Sequence, residues 1–138
     1  MKKEVNEQSS SIPILEIQKI LNRFKIGDSK GNLLVENGIE ETNTKVCIEK
    51  FQYVIKQEAD GSVNETTWGA IKDILSKPLL KIGTDKYTET RYLQWRLNIY
   101  VDGIFGNMTR VAVMKFQNEN RLNVDGVVGK ATWKKLIG

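Results

Sequence analysis

One repeat constrains this chain more than any other feature. Asn37-Gly38-Ile39, Phe51-Gln52, Asp60-Gly61-Ser62-Val63 and Thr67-Trp68 are matched 65 positions later by Asp102-Gly103-Ile104, Phe116-Gln117, Asp125-Gly126-Val127-Val128 and Thr132-Trp133. A gapless match of that length means two copies of one unit within 138 residues. Units of about 60 residues bury only ~60% of the surface their unfolded chains expose, so each is marginal alone. The two copies are therefore expected to pack on each other.

Apolar spacing gives the elements. Ile14, Ile17, Leu21 and Phe24 recur at helical intervals, as do Cys47, Ile48, Phe51, Val54 and Ile55, and then Trp68, Ile71, Ile74 and Leu75. Thr42, Asn43 and Thr44 offer capping oxygens to the second of these helices, and Asn64 can start the third. Pro78 ends it. The second copy places helices over residues 88–98, 107–118 and 130–137. No strand-like alternation persists, so the fold class is all-α: two tandem three-helix repeats packed on each other. The expected divisions are a polar tail at 1–11, repeat one at 12–76, a linker at 77–87 and repeat two at 88–138. Glycine supplies positive φ at the Asp-Gly turns, and the neighbouring Asp or Asn bonds nearby amides. Ile104, Phe105, Val127 and Val128 are expected to fold inward as plugs.

The copies are not identical. Leu21 to Gly38 spans 17 positions where Leu97 to Gly103 spans 6, so the first copy holds 11 extra residues. Glu40 and Glu41 stand where the second copy has Phe105 and Gly106, replacing an apolar plug and a permissive glycine. That exchange sets ligand binding and turn geometry in the first copy apart from the second. Charge divides the same way: residues 1–75 hold 10 Lys and Arg against 12 Asp and Glu, residues 76–138 hold 11 against 5. The second copy, at +6, is drawn to polyanions and to the first copy.

Several chemistries are excluded or weakened. With no histidine and one cysteine, the chain lacks the usual zinc ligand sets and the Ser-His and Cys-His nucleophile pairs, and it forms no internal disulfide. At 40% hydrophobic and 28% charged residues it is neither disordered nor membrane-spanning in composition. The apolar run at 12–15 is cut by Pro13 and stopped by Glu16, so no signal peptide is expected.

The second copy carries a wider pattern: Tyr92-Leu93-Gln94-Trp95-Arg96, Asp102-Gly103-Ile104-Phe105-Gly106, Thr109, Phe116-Gln117, Val124-Asp125-Gly126-Val127-Val128-Gly129 and Thr132-Trp133. This resembles the three-helix peptidoglycan-binding domain of bacterial cell-wall hydrolases. The doubled arrangement is similar to the C-terminal wall-binding part of clostridial and phage amidases and endolysins. The resemblance implies a non-catalytic module that holds an attached hydrolase, such as an N-acetylmuramoyl-L-alanine amidase, on its substrate at the cell wall. It implies peptidoglycan or muropeptides as ligand, with anionic wall polymers as a further partner. No cofactor, metal, nucleic acid or membrane is expected, and the oligomeric state is open. The expected ligand-binding residues are Tyr92, Arg96, Tyr100, Asp102, Asn107 and Arg110.

Competing roles exist for individual residues. Cys47 is matched by Ala112, which makes it a small core position rather than a reactive thiol. Trp68 and Trp133 occupy equivalent places and read as core anchors. Asp60, Asp102 and Asp125 follow the turn pattern rather than forming a glycosidase pair. Tyr92, Trp95 and Ile99 form a second apolar stripe that has Glu16 and Lys19 as counterparts in the first copy, so it needs a partner outside its own core. Of these, Tyr92 is expected to reach solvent. Arg91, Arg96, Arg110 and Arg121 are planar donors suited to carboxylates or phosphates. A hydrolase, a basic nucleic-acid or teichoic-acid binder, and a dimerisation or spacer module are the alternatives.

Overall fold

The computed structural model describes residues 12–138; the expected tail at 1–11 lies outside the described residues. Among the described residues six helices follow in order: α1 (Ile14–Arg23), α2 (Thr42–Val54), α3 (Glu65–Leu75), α4 (Tyr87–Arg96), α5 (Asn107–Glu119) and α6 (Lys130–Ile137). Among the described residues there is no strand, and Leu80 and Val128 make an isolated antiparallel bridge. The all-α class stands. The chain divides into two compact units, Met1–Ile71 and Lys72–Gly138, with the division inside α3.

In the first unit the helical apolar faces meet as spaced. Ile17, Leu21, Phe24, Cys47, Ile48, Phe51 and Ile71 are buried, and the Phe24 and Phe51 rings lie 5.8 Å apart. Asn64 caps α3, its Oδ1 accepting from the Thr67 amide at 2.8 Å, as expected of a residue that favours helix starts. Thr42, Asn43 and Thr44 do not cap α2, contrary to expectation. The N-cap is Glu41, in extended geometry and without a side-chain bond. Thr44 is instead buried and bonded to Gln18.

That bond belongs to a plan that recurs four times. At the end of α4, Gln94 Nε2 lies within hydrogen-bond distance of Asp102 Oδ1, the Ile104 carbonyl and Thr109 Oγ1, at 2.9, 3.0 and 3.0 Å. Its Oε1 accepts from the Asp102 and Gly103 amides at 2.9 and 2.8 Å. Gln117 makes the same five contacts with Asp125, Val127, Thr132 and Gly126. Gln52 repeats the side-chain, carbonyl and glycine contacts through Asp60, Ser62, Thr67 and Gly61. Gln18 does so through Asn37, Ile39, Thr44 and Gly38, across the insertion of the first copy. Each glutamine thus ties its helix, the turn that follows and the first turn of the next helix, Gln52, Gln94 and Gln117 from the last turn of their helices and Gln18 from the middle of α1.

The helix ends support the same tie. The Gln57, Ile99 and Leu122 amides donate back to the carbonyls of Gln52, Gln94 and Gln117. These bonds close Schellman caps in which Lys56, Asn98 and Arg121 take positive φ. Turn glycines are then packed over by the first turn of the preceding helix. A Cβ on Gly103 would collide with the Tyr87 ring, and its φ of 78° already favours glycine.

The insertion in the first unit closes on itself. Asp28 Oδ1 accepts from the Lys30 and Asn32 amides, each at 2.9 Å, and Asn22 brackets Leu34 through both its amide and its carbonyl. In the second unit residues 78–84 form a strap across two turns. Leu80 bonds Val128 in both directions, the Gly83 amide donates to the Phe105 carbonyl, and the buried Trp133 indole donates to the Pro78 carbonyl at 2.7 Å.

The apolar plugs split. Phe105 and Val128 are buried as expected, whereas Ile104 is 68% exposed and Val127 half-buried. The segment after each turn is extended, and extended backbone sends successive side chains to opposite sides. Only the second of each pair can reach the core.

Removing the tie at Gln94 leaves the Asp102 and Gly103 amides without their acceptor. Gln94→Ala is expected to lower unfolding free energy by about 2–4 kcal/mol. Gln94→Glu sets a carboxylate against Asp102, so its deficit in urea denaturation should shrink as pH is lowered from 7 to about 4, near the carboxylate pKa range.

Candidate functional site

The second unit opens a shallow groove where α4 ends, the Asp-Gly turn follows and α5 begins. Its volume is about 180 Å³. Ile99, Tyr100, Asp102, Ile104, Gly106, Asn107 and Met108 form the walls, and the buried Gln94 and Thr109 form the floor. Tyr100 and Met108 are 79% and 76% exposed, so the apolar walls face solvent rather than the core. Solvent-facing aromatic and thioether groups beside fixed polar atoms are suited to a ligand with both apolar and hydrogen-bonding faces.

Asp102 supplies a fixed polar edge. Its Oδ1 accepts from the Ile104 amide and from Gln94, each at 2.9 Å. Those bonds, the backbone one first, hold its pKa below the ordinary value of 3.8, with a smaller contribution from Arg91. Among the described residues Oδ2 has no bond within the chain, which leaves a charged acceptor at the groove. Asp125 Oδ1 is held in the same way, and the Val127 amide and then Gln117 lower its pKa.

Neither backbone angle nor crowding requires glycine at Gly106 or Gly129, where an added Cβ would meet nothing closer than about 4.0 Å. Their φ values of −109° and −106° are extended backbone that any residue adopts, which corrects the expectation that Gly106 is a conformational necessity. Glu41, the residue in that place in the first unit, has φ −111°. Around it the first unit holds a different cavity of about 230 Å³, lined by Glu41, Asn43 and residues of the insertion. Glu41 contributes to this wall, and the Glu40 and Glu41 exchange leaves the Gln18 tie in place.

Of the six expected binding residues, the structure brings three together: Tyr100, Asp102 and Asn107. Tyr92 does not reach solvent. It is fully buried, 6.2 Å from the Trp95 ring, with its hydroxyl accepting from Arg96 at 3.2 Å. An aromatic ring of that size in a small unit stabilises more inside than at the surface. Arg96 is engaged internally, donating to Tyr92 and to the Leu136 carbonyl. Arg110 is exposed but lies across Gly126 of the following turn, outside the groove. Arg91 donates to the Val101 carbonyl at 3.3 Å and sits 5.8 Å over the Tyr87 ring, in cation–π range. Ile104 and Met108 complete the walls. Treating Ile104 as a plug hides both, although alternation after an extended turn is the signal that places it outward.

No three His, Cys, Asp or Glu residues are grouped to hold a metal among the described residues. Among the same residues no helix is long and apolar enough to cross a membrane.

Residues 87–136 match the family model described as "Putative peptidoglycan binding domain", a stretch that contains the whole groove. The match supports a peptidoglycan-binding domain over that stretch. A Kitasatospora aureofaciens protein described as "Uncharacterized protein in bpoA1 3'region" is 56% identical over 36 residues, which cover 26% of this chain and 30% of that protein. The chain therefore spans less than a third of that relative. No solved structure matches the chain.

Two outcomes follow from these environments. Asp102 has a depressed folded pKa, so its contribution is complete above the unfolded value and is lost as pH falls through the folded one. Asp102→Asn keeps the Oδ1 acceptor, as Asn37 does in the first unit, and should flatten the acid limb of urea midpoints between about pH 7 and 2. Asp102→Ala should lower the midpoint at every pH. Cys47 is buried, and burial pushes its thiol up to about 11. It should therefore resist a disulfide reagent near neutral pH and react on unfolding.

Proposed function

We propose that the chain is a non-catalytic wall-binding module whose second unit holds a muropeptide in the groove at Tyr100, Asp102 and Asn107. The observation that carries this is the position of the groove, which lies wholly inside the stretch matching the peptidoglycan-binding family. Tyr100, Ile104 and Met108 offer apolar surface to sugar faces and to the methyl groups of a stem peptide. Asp102 Oδ2 and the Asn107 amide offer an acceptor and a donor to its hydroxyl and amide groups. By the same reading the first unit is a divergent copy in which Glu41 and Asn43 take the places of Gly106 and Met108. Tethering a cell-wall hydrolase such as an amidase, as the resemblance implies, keeps that enzyme near its polymer through effective concentration.

Single-site affinity should be modest, because a flexible polymer loses freedom on docking. Cosedimentation with purified sacculi tests the reading. The wild-type chain is expected in the pellet at physiological salt, and Tyr100→Ala should weaken retention roughly tenfold, the loss of a well-packed aromatic contact. A chain that stays in the supernatant would reject wall binding. Binding that disappears with modest added salt would reject groove recognition in favour of simple polyanion attraction.

A further inference from the structure

The groove has a twin within the same unit. Adding 23 to each of its nine lining positions gives Gln117, Leu122, Asn123, Asp125, Val127, Gly129, Lys130, Ala131 and Thr132, and these, with Leu79, line a second cavity of about 310 Å³. The correspondence is physical, because the Gln117 tie builds the same floor that the Gln94 tie builds. What differs is the wall. Asn123 replaces Tyr100, Ala131 replaces Met108, and Lys130 replaces Asn107. The first groove is apolar with Asp102 as its charged member, whereas the second is larger and is lined by both a cation, Lys130, and a carboxylate, Asp125.

Lys130 is exposed and has no ion-pair partner among the described residues. It opens α6, where the first amides lack helical acceptors and add positive potential. Asp125 is held by its turn: Oδ1 accepts from Gln117 and from the Val127 amide, and Oδ2 stands 3.5 Å from Asn123 Nδ2. A ligand entering here meets an ammonium group suited to an anionic oxygen and a fixed acceptor suited to an amide N–H. A peptide end carries both groups a few bonds apart.

We propose that this second groove is a distinct binding site for the free carboxylate end of a short peptide, with Lys130 binding the carboxylate and Asp125 the adjoining amide. The proposal rests on the wall-binding reading above for its ligand class. One unit then offers two neighbouring grooves of different preference, and a repeating polymer can occupy both.

Amide chemical shifts of the isotope-labelled full chain test this. Three probes are titrated: a disaccharide tripeptide with a free terminal carboxylate, its terminal carboxamide, and inorganic phosphate. The free acid is expected to shift the amides of Asn123, Val127, Lys130 and Ala131, with the carboxamide roughly tenfold weaker there, the loss of one charge-assisted bond. Lys130→Gln should abolish the distinction between acid and carboxamide while spectra elsewhere remain unchanged. Equal shifts from acid and carboxamide, equal shifts from phosphate, or no shifts in this groove would each overturn the proposal. Shifts confined to the Tyr100 groove sink the second site and leave the function proposed above intact. Shifts confined to the Lys130 groove support the second site and reject the Tyr100 groove as the muropeptide site.

Discussion

Everything in this molecule hangs on a buried side-chain amide that reaches from a helix to the turn after it. A turn that reverses the chain presents two kinds of unpaired group: backbone N–H donors from its Asp-Gly pair, and acceptors from the carbonyl and carboxylate just beyond. Only a primary amide satisfies both at once, donating through one atom and accepting through the other. Glutamate lacks the donor, and asparagine is one methylene shorter. Burying such a group is unfavourable unless every bond is made, and Gln18, Gln52, Gln94 and Gln117 are all buried with their bonds in place. In units this small the apolar core is limited. A satisfied polar tie adds specificity where more hydrophobic area does not fit.

The same tie explains why fold and groove are inseparable. Gln94 and Thr109 are the floor, and the turn they hold supplies Asp102 and Ile104 to the wall. One carboxylate oxygen of Asp102 secures the turn and the other faces outward. An asparagine at this place accepts the same two bonds, as Asn37 demonstrates. The bonds form without a charge, and at Asp102 the charge both strengthens them where the carboxylate is ionised and stands at the groove.

Much of this was legible in the residues. The 65-residue offset marked the equivalent turns, helical spacing located all six helices, and the Ala112 counterpart identified Cys47 as core. The shorter period of 23 was also present, in Gln94 and Gln117, Asp102 and Asp125, Gly106 and Gly129, Thr109 and Thr132, but the longer match concealed it. Side-chain direction was less accessible. Tyr92 shares a stripe with Trp95 and Ile99, yet a helix face does not say how deep each member sits, and Tyr92 is fully buried while Ile99 reaches the groove. The start of α2 departs from expectation for a similar reason. Thr44 has the chemistry of a cap, but the distant Gln18 competes for its hydroxyl, and a long-range partner leaves no local signature.

Comparing the turns separates what the scaffold requires from what it permits. The glutamine, the Asp or Asn, the turn glycine and the threonine recur at all four turns, because each makes a bond or fits a backbone angle that the tie demands. The positions after the turn differ more: Asn64 caps α3 and bonds Thr67, whereas Glu41, Gly106 and Gly129 make no side-chain cap bond. Glu41, Gly106 and Gly129 share nearly the same extended φ, so the backbone tolerates any side chain there. The next two positions, occupied by Asn107 and Met108 at one turn and by Lys130 and Ala131 at another, set the charge and the apolar surface of the groove. Since none of these residues contributes to the tie, each groove can change its ligand without weakening the fold that presents it.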